Sequence, residues 1–254
     1  LSGFANAQVK GEGSGVSFDE AQETFTARYT HETVALAFAI TEEAIEDNLY
    51  DRLAARYTKA LARSMSNAKQ VKSVEPLING LPSTATFKSG DGVSLFNTAH
   101  TTVAGSFKNT LSTQADLNET SLEQSMIDIA KMTDERGLRV AARGVKMIIP
   151  SELQFTAERL MKSQGRTGTA DNDINAIVSM GMVPQGYRVN NYLTDTDAFY
   201  IITDVPNGMK MFTRAPLTTA MEGDFDTGNV RYKARERYSF GVSDPRGIFG
   251  VEGA

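Results

Sequence analysis

Cysteine and tryptophan are absent from this 254-residue chain, and histidine occurs only twice. Without cysteine there are no disulfides, no thiolate zinc sites and no thiol nucleophile. The two histidines, His31 and His100, stand far apart and outside any spaced ligand motif, so both read as surface side chains and neither a metal centre nor a histidine base is indicated. No apolar run reaches the length that spans a bilayer and no secretory leader is visible, so the expectation is a soluble protein with no membrane partner. A cationic excess is missing too: 26 basic residues against 31 acidic give a formal charge of −5. Nucleic-acid affinity spread over the whole surface is therefore not expected, because counterion release needs clustered cations. The first residue is Leu1 rather than methionine, as expected of a chain whose upstream segment was trimmed or lies outside the sequence. What is present, 41% hydrophobic residues, suffices for one large domain or two modest ones.

The most regular pattern lies near the end. Over residues 229–242, Val230, Tyr232, Ala234, Tyr238, Phe240 and Val242 alternate with Arg231, Lys233, Arg235 and Arg237. Period two makes this one long strand with an apolar face and a basic face. A strand of that length exceeds the usual five or six residues and needs an equally long cover. A helix over residues 41–69 fits, with Ile45, Leu49, Leu53, Tyr57, Leu61 and Met65 at every fourth position. Glu42, Glu43, Glu46 and Asp47 stand in its first turns, and Arg63, Lys69 and Lys72 toward its end, as the helix dipole favours.

Ahead of the helix, a glycine-rich tip at residues 11–15 and a strand over 24–40 predict a hairpin-like arm with no core of its own, which should rest on another molecule. Residues 71–116 read as polar and irregular, with Pro76, Gly80 and Pro82 as breakers. A compact α/β unit follows. Thr120 and Glu123 suggest a capping box for a helix carrying Leu122, Met126 and Ile129; residues 145–149 form a buried strand closed by Pro150. Ser151 and Gln154 suggest a second box for a helix carrying Leu153, Ala157 and Leu160. Strands are expected at 187–189 and 198–203, with a polar loop at 165–173.

This order of parts resembles the major capsid protein fold of tailed bacteriophages, an α+β fold with an extended hairpin loop, a long spine helix, a peripheral domain and an inserted axial α/β domain. The run Gly144-Val145-Lys146-Met147-Ile148-Ile149-Pro150-Ser151-Glu152-Leu153 is similar to the strand-proline-helix element of the Mu-like major head subunits. The ending from Arg235-Glu236-Arg237 through Asp244-Pro245-Arg246 and Ile248-Phe249-Gly250 is similar to that family's terminus. The resemblance implies domains at 1–40 (extended loop), 41–119 (first part of the peripheral domain), 120–215 (axial domain) and 216–254 (terminal strand of the peripheral domain). It implies a structural subunit of the virion, assembled in the host cytoplasm into pentamers and hexamers of an icosahedral shell. Neighbouring copies are its main partners, packaged double-stranded DNA is contacted without sequence recognition, and there is room for portal, scaffold or cement proteins. An encapsulin-type compartment shares the fold and is an alternative.

Nothing in the residues points to a cofactor, a metal or a catalytic group. Asp226-Thr227-Gly228 matches the aspartic-protease triplet, which would make the chain a hydrolase, but such enzymes need two carboxylates sharing a proton and an apolar strand leading in, and Gly223-Asp224-Phe225 precedes this one. A turn between strands is the better reading. Gly11, Gly13 and Gly15 lack the lysine of a phosphate loop. The basic strand face is different: four like charges on alternate residues attract an acidic surface. Glu12, Asp19, Glu20 and Glu23 in the arm supply one. The expectation is that these acids meet Arg231, Lys233, Arg235 and Arg237 across subunits.

Overall fold

The computed structural model describes residues 2–47, 50–166 and 173–254. Strands are β1 (Glu32–Ile40), β2 (His100–Thr102), β3 (Gly105–Phe107), β4 (Gly144–Ile149), β5 (Tyr187–Val189), β6 (Phe199–Thr203), β7 (Met209–Gly223), β8 (Val230–Val242) and β9 (Ile248–Val251). Helices are α1 (Glu42–Glu46), α2 (Tyr50–Ile78), α3 (Glu119–Ala130), α4 (Gln154–Lys162) and α5 (Ala176–Ser179). Contacts divide the chain into two units: Leu1–Arg28 with Glu75–Met209 and Val242–Ala254, and Tyr29–Val74 with Lys210–Gly241. The carboxyl-terminal residues after β8 thus belong with the first unit rather than with the strand that precedes them.

In the second unit β8 is the centre of a three-stranded sheet, ordered β1-β8-β7. Its antiparallel register with β1 runs from Glu32 opposite Tyr238 to Ile40 opposite Val230. Period-two alternation brings Val34, Phe38 and Ala234 to one face, where Leu61 and Met65 of α2 pack on them. One acid lies in that apolar row. Glu236 is only 4% exposed, and Lys69 of α2 reaches it at 3.0 Å while lying 5.2 Å from the Tyr238 ring. Lys72 pairs with Glu32 at 3.0 Å. The helix covers the apolar face as its periodicity predicts, and Lys69 neutralises the one acid, Glu236, that the face would otherwise bury unpaired.

The first unit is built on a four-stranded sheet ordered β5-β4-β6-β9, parallel between β4 and β5 and antiparallel elsewhere. Met147, Ile149, Phe199, Ile201, Phe249 and Val251 face Leu122 and Ile129 of α3 and Ala157 and Leu160 of α4. Ala198, Tyr200 and Ile248, from the alternate positions, pack instead with Leu77, Leu81, Leu95 and Phe96. Both faces of the sheet are therefore covered at β6 and β9, which read as nearly continuous apolar runs, whereas the edge strand β5 is largely exposed.

Several expectations need correction. The helix over 41–69 is a short α1 and a separate α2 that continues to Ile78, past Pro76 in its last turn. A proline there forfeits one hydrogen bond, and burial of Val74 and Leu77 at 2% and 1% exposure outweighs it. Lys69 and Lys72 are mid-helix in consequence and serve ion pairs, not the dipole. Leu49 and the Leu53 side chain lie outside the described residues, as does most of the loop 165–173. The arm strand begins at Glu32, not at residue 24. Residues 71–116 are not irregular throughout, since β2 and β3 pair there and Leu95 and Phe96 are fully buried. Neither predicted capping box forms. Asn118 caps α3 reciprocally with Ser121, and α4 has Leu153 at its N-cap with no side-chain cap bond while Ser151 bonds Glu152.

One local electrostatic feature tests the first unit's packing. The Asp197 carboxyl is held above its ordinary value by its hydrogen bond to the Asp195 carboxylate, and burial adds to the effect. An acid whose pKa is raised on folding gives stability that is present at acid pH and is lost as pH rises through the raised value. Asp197→Asn is therefore expected to raise the melting temperature at pH 7 relative to the parent and to leave no gain at pH 3, which thermal unfolding across that range checks.

Candidate assembly surfaces

Residues 2–28 form a ribbon. Its base is closed by Ser2 N–H donating to the Gln22 carbonyl at 2.7 Å and Gln22 N–H donating to Ser2 Oγ at 2.9 Å. Ala5 N–H donates to Asp19 Oδ2 at 2.7 Å. At the tip Ser14 N–H reaches the Gly11 carbonyl at 3.2 Å, and Gly13 takes a left-handed φ of 78° that a side chain would resist. The glycine-rich stretch is a hairpin tip, as its composition predicts. Between base and tip nothing covers the side chains: Val9 is 100%, Phe18 96% and Val16 67% exposed. Burying residues of this kind gains about 1.5–3 kcal/mol each.

Of the four acids expected to reach across subunits, Asp19 is engaged within the chain. Arg136 Nη2 donates to its Oδ1 at 2.7 Å. The Ala5 N–H first, then the Glu20 N–H and the Arg136 charge, hold the Asp19 carboxyl below its ordinary value. Glu12, Glu20 and Glu23 are exposed.

The uncovered face of the second unit's sheet carries the basic row. Arg231, Lys233, Arg235 and Arg237 stand opposite Ala39, Ala37, Ala35 and Thr33 of β1. These β1 neighbours are small, and the cations recur at roughly 6.8 Å intervals along the strand. Arg231 is taken by Asp224 from the β7–β8 turn, whose carboxyl is held low by the Thr227 hydroxyl and by that arginine. Arg237 is half-buried, and its Nε has no partner among the described residues. Lys233 and Arg235 are exposed. The expected partners are thus not joined within one chain: Asp19 and Arg231 have local counterions, and Lys233, Arg235 and Glu12, Glu20 and Glu23 face solvent. Arg136 and Asp224 were not anticipated. Asp224 could have been, as an acid in the turn seven residues before Arg231; no local pattern announces Arg136.

The sequence model of the family described as phage capsid protein matches residues 23–251. The chain belongs to that family. It is a structural protein of the virion and not an enzyme, and its copies assemble into a shell. No curated protein sequence matches the capsid protein. Its fold is similar to that in the capsid of an empty GTA particle with C5 symmetry, at TM-score 0.58 and 13% identity, covering 98% of this chain and 81% of that one. The capsid of Myoviridae phage XM1 is matched at TM-score 0.54 and 13% identity, over 100% and 83%. A Mycobacterium phage Che8 chain is matched at 0.51 and 16%, over 100% and 84%. These likenesses establish a mixed α+β capsid fold.

The remaining candidates of the capsid protein take structural places. Asp226-Thr227-Gly228 lies in the β7–β8 turn, where Asp224 N–H donates to the Asn229 carbonyl at 2.8 Å and Gly228 has φ 66°. Asp226 is exposed there, beside a fully exposed Phe225, which is no setting for a shared-proton dyad. His100 is not at the surface: it is fully buried, with Nδ1 2.7 Å from Asp91 Oδ2 and Nε2 3.0 Å from Asn109 Oδ1. Those contacts fasten the segment 91–109 and leave no access for a substrate. Among the described residues, no group of three histidine or acidic side chains is placed to hold a metal.

Proposed function

We propose that the capsid protein is the major head subunit of a tailed phage of the Mu-like type, building an icosahedral shell from pentamers and hexamers of one polypeptide. The ribbon carries the reading. A hairpin that exposes Val9, Val16 and Phe18 with no cover of its own is marginal in isolation and gains its stability by lying across an adjacent copy. Repeated contacts of this heterologous kind close into rings and shells. In this reading the domains run 1–40, 41–119, 120–215 and 216–254, a division by place in the shell that departs from the contact units at 75–119 and 242–254: α2 and β8 belong to the peripheral part and the α3–β6 region gathers at the capsomer axis. The C5 symmetry of the GTA capsid supports five-fold grouping. Glu12, Glu20 and Glu23 of one subunit approach the Lys233 and Arg235 row of another, and double-stranded DNA lies against the inner surface without base recognition. Portal, scaffold or cement proteins would join at other surfaces.

Electron microscopy of the purified full chain over rising concentration tests this. Closed empty shells with five-fold vertices are the expected result. A chain that stays monomeric at high concentration overturns it, and shells that retain a protein cargo would favour the compartment reading.

A further inference from the structure

We propose that Arg136 is a latch that sets the shape of the ribbon for docking. This deepens the reading of the ribbon as the inter-subunit element and rests on it. The latch is built in two steps. Asp134 Oδ1 accepts from the Arg136 and Leu138 N–H groups at 2.9 and 2.8 Å, and Asp134 N–H donates to the Leu138 carbonyl at 2.8 Å. This tight turn after α3 fixes the backbone from which Arg136 projects. Its guanidinium then holds both legs of the ribbon at once. Nε donates to the Gly3 carbonyl at 3.3 Å on the outgoing leg, and Nη2 donates to Asp19 Oδ1 at 2.7 Å and to the Glu20 carbonyl at 2.9 Å on the returning leg.

Only 14% of the Arg136 side chain is exposed, so this is not a solvated surface pair. A planar fork of donors satisfies acceptors on both legs of the ribbon at once, where an ammonium acts as a point charge. The position is the one where a latch has leverage. Beyond residue 5 the outgoing leg has no side-chain cover, and a ribbon whose legs can splay must be ordered each time it docks. Pre-organisation removes that entropic cost from every subunit contact. Arg136 is therefore a positioning residue: it makes no shell contact in this account and acts through the ribbon.

The test uses Arg136→Ala and Arg136→Lys in the full chain. Arg136→Ala is expected to speed hydrogen exchange at the Ala5 and Gln22 amides about tenfold or more, because closure of the ribbon base is a local equilibrium. It should raise the concentration at which shells form by about tenfold, with the thermal unfolding of the unassembled subunit little changed. Arg136→Lys keeps the charge beside Asp19 and is expected to recover only part of both effects. The cysteine-free background permits a rescue: Ser2→Cys with Gln22→Cys in the Arg136→Ala chain should, once oxidised, close the base covalently and restore assembly. Unchanged exchange at Ala5, or an oxidised rescue variant that still fails to assemble at parental concentration, overturns the latch. Deleting residues 7–17 probes the underlying reading separately. Normal shells from that deletion would remove the ribbon's docking role, whereas amide exchange in Arg136→Ala reports on the latch whichever way the deletion turns out.

Discussion

Replacing Arg246 with alanine is expected to cost the first unit about 3–5 kcal/mol, the range for removing one member of a buried charge network. The side chain is 8% exposed and is used on every edge. Nε donates to the Thr133 carbonyl at 2.8 Å, Nη2 to Glu135 Oε1 at 2.6 Å, and Nη1 to Asp244 Oδ1 at 3.3 Å. The guanidinium carbon lies 4.3 Å from the centre of the Phe107 ring. Its own carbonyl accepts from Thr203 Oγ1 at 2.7 Å. The short 3-10 turn Pro245–Gly247 thereby ties the segment after α3, the β3 aromatic and the end of β6 to the strand β9 that closes the sheet. Truncation leaves Glu135, whose Oε2 has no partner among the described residues, partly buried and without its ion-pair partner. Arg246→Lys keeps the charge but not the fork, and a smaller loss of about 1–3 kcal/mol is expected. Urea unfolding of the unassembled subunit checks both. Because every partner named belongs to the first unit, a probe in the second, such as the α2 amides around Leu61 and Met65, should keep parental protection. A loss below about 1 kcal/mol for the alanine variant would mean that the network is surface-like and weak.

Much of this architecture was legible in the sequence where one physical signal dominated. The β8 row alternates so strongly in polarity that its strand, its basic face and the need for a helical cover all follow from period two. The β4 and β6 runs sit within a residue of their expected places because both faces of their sheet are covered there. Other parts carried no such signal. Strand β7 went unread because its side chains are mostly exposed on both faces, so no burial pattern is written into Met209–Gly223, and Pro216 speaks against a strand except at an edge. The extent of α2 was hidden by Pro76, whose local penalty is overridden by packing that depends on residues far along the chain. His100 looked like a surface residue because its partners, Asp91 and Asn109, identify themselves only once β2 and β3 fold. The assembly surfaces split in the same way. The cationic row and the acidic arm are visible as composition, but which charges are already spent is a matter of tertiary contacts: Asp224 for Arg231, and Arg136, which is 117 positions from Asp19.

That distinction decides how the charge hypothesis should be tested. Lys233→Glu with Arg235→Glu is expected to abolish shell formation at parental concentrations while leaving the subunit folded. Both residues are exposed, and among the described residues neither has a counterion of the kind that Asp224 gives Arg231, so reversing them costs the monomer at most about 0.5 kcal/mol. Arg237 is a poorer target, because it is half-buried and its loss would mix folding with assembly. Each exposed pair is worth about 1 kcal/mol or less, and reversal turns that attraction into a repulsion of similar size. Two such changes per subunit contact give about 2–4 kcal/mol, a factor of 30 to several hundred in the affinity of each contact, repeated at every contact in the shell. Raised salt should weaken the parental contact and relieve the reversed one, since charges at this exposure are screened within about 8 Å at physiological ionic strength. The decisive arm is the compensating exchange: Glu12→Lys, Glu20→Lys and Glu23→Lys introduced with the reversed row should restore shells seen by electron microscopy, although the same three changes alone should block them. Asp19 is left in place, because it serves Arg136 at the ribbon base. Normal shell yield from the Lys233→Glu, Arg235→Glu chain would show that the basic row is not a subunit contact, and failure of the exchange to rescue would show that the row meets some acidic surface other than the ribbon.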